Sequence, residues 1–169
     1  MARRRLRMSI WEAVQLLMGL TIPFLLTTHV VGTRLAHAWF DVQDSYTYVV
    51  LALWWYRPDL GTLQAIVLLL AWLHGCIGMH FWLRLQAWYG RVVLWLFGVA
   101  IMLPTLALLG FVQAGREVAT QAHDAEWRQA ILQQTNAPGE AARQRLNQVR
   151  TLVPVVFSIT IGTILVARA

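Results

Sequence analysis

Lysine is absent from this sequence, and all of its 14 basic residues are arginines, a bias that points to codon usage more than to chemistry. Cysteine is nearly absent. Cys76 stands alone, which excludes a disulfide framework and any iron–sulfur or zinc cluster built on several cysteines. Charge is scarce as well: 13% of the 169 residues are charged, where a soluble domain carries about a quarter. Of the carboxylates, only Glu12 falls inside a long apolar run. Paired carboxylates for two-metal chemistry are missing, as are a nucleotide-binding glycine loop and a serine or cysteine nucleophile with a base in register. No catalytic site is expected in this chain. The net charge of +6 does not imply nucleic acid, because the arginines flank apolar runs and make no continuous basic face.

What is present points to lipid. Hydrophobic residues make up 58% of the chain, with nine tryptophans. Four runs are long and apolar enough to cross a hydrocarbon core, which takes roughly 20 helical residues. They cover about Ile10 to Val31, Thr62 to Leu83, Val92 to Val112 and Leu152 to Ala167. Ser9 and Glu12 predict a capping box at the first. The expected fold is therefore all-α: one polytopic transmembrane helix bundle of about four spans over residues 1–169, with short interfacial and extracytoplasmic helices. "SYTYVVLALWWY" (45–56) is too short to cross and ends at Pro58. It reads as a helix on the outer surface or tucked against the bundle. The outer polar segment 114–150 reads as two amphipathic helices broken at "TNAPGE".

Arginine placement sets the orientation. "MARRRLR" precedes the first span, Arg84 and Arg91 flank the turn after the second, and Arg168 follows the fourth. Both termini are expected in the cytoplasm, with the chain in a bacterial inner (plasma) membrane. The arginine-rich start and "AHA" at 36–38 resemble a cleavable signal peptide. Glu12, Gln15 and Arg34 interrupt that pattern, so the span is expected to be retained.

Histidine at lipid depth is costly unless paired or functional. His29 lies near the outer end of the first span, His74 near the middle of the second, and His80 nearer the cytoplasm. Gly32 follows His29 by three residues, while Gly75 and Gly78 follow His74 by one and four. Missing side chains beside an imidazole would let a flat porphyrin approach, and Arg34 would meet a propionate. Two other readings stay open. Gly75 and Gly78 would instead pack helices in a cofactor-free anchor or dimerisation domain, or His74 and His80 would relay protons. Depth sharpens the haem reading: at 1.5 Å per residue His29 stands about 12 Å nearer the outer face than His74. One iron cannot join them. Two haems would be needed, each with a second ligand from another subunit or from sequence outside this chain.

"IPFLLTTHVVGTRLAH", "QDSY" before "LALW", "LAWLHGCIGMHFWLR" and "LLGFVQAGREV" together resemble a bacterial membrane domain found at the N-terminus of class III adenylate/guanylate cyclases. That domain is similar to the dihaem cytochrome b anchor of succinate dehydrogenase and fumarate reductase. The resemblance covers residues 6 to 168 and implies haem b ligation by His29 and His74. It also implies ferredoxin-like and cyclase domains on the cytoplasmic side and two further helices upstream, each with a histidine. Neither addition is in this chain, which resembles the later helices only. The reading is thus a b-type haem redox or sensor module, with lipid, a quinone near "WWYR" and a homo-oligomer or upstream helices as partners.

Overall fold

The computed structural model describes residues 9–167. Among these the regular elements are helices with no strand, and four are long and apolar enough to cross a membrane. The first, α1 (Ile10–Val30), opens on the expected capping box. Ser9 Oγ accepts from the Glu12 N–H at 3.3 Å, and Glu12 Oε2 accepts from the Ser9 N–H at 2.9 Å. The helix does not stop at Val31. It widens into a π-helical turn (Val31–Leu35) and runs on as α2 (Ala36–Phe40), ending on Asp41 in the left-handed region at φ 52°. Aspartate tolerates that conformation better than most residues.

The short apolar stretch 45–56 forms α3 (Tyr46–Leu51), capped by Ser45, and a second π-helical turn (Ala52–Tyr56). It is tucked in: Val50 and Leu51 are buried against Val118 and Ala122. Next, α4 (Pro58–Leu83) begins four residues before the apolar run because Pro58 suits the first helical turn. A tight turn leads to α5 (Tyr89–Gln121), followed by the polar α6 (Ala125–Gln134). The "TNAPGE" break holds, with Asn136 at φ 50°. After it, α7 (Glu140–Ala167) is one helix where a polar helix and a separate short span were expected. Ending a helix at the membrane boundary leaves four carbonyls without partners, and residues 140–151 are good helix formers, so one rod is the cheaper solution.

The four crossing helices lie in the order α7, α1, α4, α5, with the most extensive contact between α1 and α4, while α5 also packs on α3 and α7 on the first π turn. One end of the row carries the short elements and is called the capped face; the other carries the turn at residues 84–88. Buried side chains concentrate at the capped face. Val31, Ala36, Val42 and Leu146 form one cluster, and Val50, Leu51, Val118 and Ala122 form another. Gly115 on α5 makes the second possible, since the Trp54 indole lies where a Cβ would stand. The α6–α7 turn is tied to the end of α2, where Asn136 Nδ2 donates to the Phe40 carbonyl at 2.9 Å.

At lipid depth the row is held by fewer, directed contacts. Pro104 has no N–H to give the Ala100 carbonyl, and Trp72 Nε1 of α4 donates to that oxygen at 2.7 Å. A neighbouring helix thus repairs the proline's missing bond. Phe24 of α1 and Phe157 of α7 meet edge to face at 4.8 Å.

Candidate functional site: two cavities and their histidines

Two cavities open along the row, and each receives one of the two expected histidines. The larger, 530 Å³, lies at the capped face. Helical spacing explains who lines it. On α1, Leu25, Thr28 and His29 form an i, i+3, i+4 stripe that Gly32 of the π turn continues, and Arg143, Leu146, Asn147 and Arg150 form an i, i+3, i+4, i+7 stripe on α7. Leu60, Leu63 and Gln64 come from α4, and Tyr48, Tyr56 and Arg57 from around the second π turn. Both π turns border the cavity, a placement common for such insertions.

Its electrostatics are one-sided. Three arginines and His29 line the cavity, and no aspartate or glutamate does. Arg57 is neutralised nearby: its guanidinium grips Asp59 outside the lining through contacts of 2.9 and 2.7 Å. That hydrogen bonding holds Arg57 still more firmly in its charged form. Arg143 Nε donates to the Pro138 carbonyl at 2.8 Å, and the Nε of Arg150 is enclosed without a partner. Burial pushes the Tyr48 phenol above its ordinary range, so it stays a neutral hydroxyl.

The second cavity, a 370 Å³ cleft toward the turn face, is bordered by Glu12, Gln15, Leu16, Gly19, Leu20, His74 and Phe81. The His74 imidazole is seated on Gly19 of α1, where a Cβ would lie 2.9 Å from its Cε1. Gln15 Nε2 donates to the His74 carbonyl at 3.0 Å. Two polar atoms here, Gln15 Oε1 and His74 Nδ1, are enclosed without partners.

The other expected residues fall elsewhere. Arg34 is exposed and absent from both linings; it sits in the π-helical turn that follows α1. Gly75 faces open space, and the clearance beside Gly78 is filled by Gln15, whose Nε2 would lie 2.9 Å from an added Cβ. His80, about 120° around α4 from His74, pairs with Tyr89 of α5 at 2.7 Å. Trp54 and Trp55 of "WWYR" pack inward, against Phe111 at 5.6 Å and His123 at 5.0 Å, leaving Tyr56 and Arg57 at the cavity.

The sequence reading missed Gln15, Gly19, Arg143 and Arg150. Gln15 and Gly19 carried a signal, a polar residue and a small one a single turn apart in an apolar run. The arginines of α7 had been placed outside the spans.

A porphyrin fits the larger cavity in three respects: an imidazole on one wall, Gly32 with nothing within 4 Å of an added Cβ, and unpaired guanidinium for carboxylates. Neither cavity brings a second histidine to the first. No group of three or more His, Cys, Asp or Glu able to hold a metal ion occurs among the described residues. The chain matches no protein-family model, no curated protein and no solved structure.

Proposed function

We propose that this chain is a membrane-anchored b-type haem module, cytochrome b-like, with a redox or sensing role. It resembles the membrane regulatory domain of adenylate/guanylate cyclases. One observation carries the reading: His29 and His74 border two separate cavities at different depths of the helical row. Haem bound in such places supplies one-electron chemistry. The chain's own part is to offer one imidazole per cavity, to set leucines beside the macrocycle, and to meet carboxylates with Arg143 and Arg150. The second axial ligands come from a second copy of the chain or from further helices.

In this reading the capped face lies outside a bacterial inner membrane and both termini lie in the cytoplasm. The arginine cluster at residues 3–7 and Arg168, on which that orientation rests, lie outside the described residues. Arg84 and Arg91 at the turn face support it.

The test is an absorption spectrum of the full chain expressed with haem supplied. A Soret band weakened in His29→Ala and again in His74→Ala is the expected result. A folded, colourless protein would sink the reading. It would favour the second one, a cofactor-free membrane anchor, for which the Gln15 bond to the His74 carbonyl and the seat of His74 on Gly19 are the supporting contacts.

A further inference from the structure

We infer that the capped-face cavity is a binding site for an anionic amphiphile: a carboxylate or phosphate head held by Arg143 and Arg150, with an apolar body along Leu25, Leu60 and Leu63. The inference rests on the same cavity as the haem reading and reads its occupant by charge, so it does not require that the occupant be haem.

Three observations converge on it. First, Arg143 and Arg150 are seven residues apart on α7, hence on one face about 10 Å apart along the axis, with Asn147 between them. Second, neither arginine has an ion-pair partner within 4 Å among the described residues. The lining holds no carboxylate, and Asp59, the nearest acid to the third arginine, is already held by Arg57 at 2.7 Å. The partnerless Nε of Arg150 is a donor enclosed without an acceptor. Such groups normally find a partner, and a guanidinium fork matches a carboxylate or phosphate. Third, the wall also carries an apolar part, with Leu25, Leu53, Leu60 and Leu63 among its lining, and 530 Å³ is the size of an ordinary small-molecule site. Arginines from α7 and leucines from α1 and α4 share this one lining, so the cavity offers a lipid-like acid both a cationic and an apolar surface.

The experiment measures binding of dodecanoate, dodecyl phosphate and dodecanol to the full chain in a neutral detergent, by calorimetry. Saturable binding of the two anions, at least tenfold tighter than dodecanol, is expected. Arg143→Gln and Arg150→Gln should each weaken the anions at least tenfold, while Arg34→Gln, outside the cavity, changes nothing. Equal binding of dodecanoate and dodecanol by the unaltered chain overturns the inference without depending on any variant's folding. Repeating the titration in phosphatidylglycerol and phosphatidylcholine nanodiscs identifies the source. Competition by phosphatidylglycerol assigns the site to a membrane lipid, and its absence assigns it to a free amphiphile; either upholds the site. If the purified chain carries haem, the readout becomes haem transfer to a scavenging protein, at least tenfold faster in Arg150→Gln. A colourless chain that binds dodecanoate sinks the haem reading alone. A haem-loaded chain indifferent to both arginine variants overturns this inference alone.

Discussion

Leu51, in the cap, is fully enclosed, whereas Leu94, in the most apolar of the spans, is 81% exposed. The same contrast runs through the molecule. The short, mixed elements at the capped face bury their aliphatic side chains against one another, while the long helices leave theirs exposed, as suits helices apolar enough to cross a membrane. In water, burial of apolar surface drives packing. Between helices in lipid that drive is missing, because hydrocarbon tails are as apolar as leucine. The spans are therefore held by a few directed contacts, such as Trp72 on the Ala100 carbonyl and Gln15 on the His74 carbonyl.

The comparison breaks most readily at Leu51. Leu51→Ala should cost about 2–5 kcal/mol, seen as a lower thermal midpoint in detergent, whereas Leu94→Ala should stay within about 0.5 kcal/mol. Equal effects would mean that the cap is not the core of this molecule. A smaller effect is expected at Gly19, where alanine would press on the His74 ring. Gly19→Ala should cost about 1–3 kcal/mol, and His74→Ala in the same chain should restore part of it, a coupling that a double-mutant cycle reads directly.

Trp72→Phe keeps the ring but removes the donor to the carbonyl that Pro104 leaves free. A loss of about 1 kcal/mol is expected; no loss would show that the α4–α5 contact is held by shape alone. The smallest effect belongs to Tyr48. Its phenol is raised by burial above 10.0, so the neutral form is favoured in the folded chain. The resulting stability is complete below about pH 10 and declines as pH rises through the raised value. Tyr48→Phe should flatten that alkaline limb in a pH series of thermal midpoints and leave neutral pH nearly unchanged.

Much of the candidate site could be read from residue types. Intramembrane histidine is rare enough to mark His29 and His74, and helical rise alone separates their depths. Spacing also foretold that Gly78 shares the face of His74. What fills that face is Gln15 of another helix, which no spacing within α4 reveals. The expected carboxylate partner, Arg34, lies in a π-helical turn that apolar spacing does not foretell, and it lines neither cavity. The arginines that do line the cavity come from more than a hundred residues later and from the loop at Arg57.

By itself the sequence determined the four crossings, the capping box at Ser9 and Glu12, the break at 135–140 and the two histidine levels. Each follows from length, apolarity or a contact within one turn. Only the tertiary structure decided which sides of the helices meet, that α7 is a single rod, and that Arg143, Arg150 and His29 share one cavity. Leucine and valine surround α4 and α5 on nearly every side. A helix apolar all round carries no inward direction, so its neighbours are chosen by shape and by isolated polar contacts that come from distant parts of the chain.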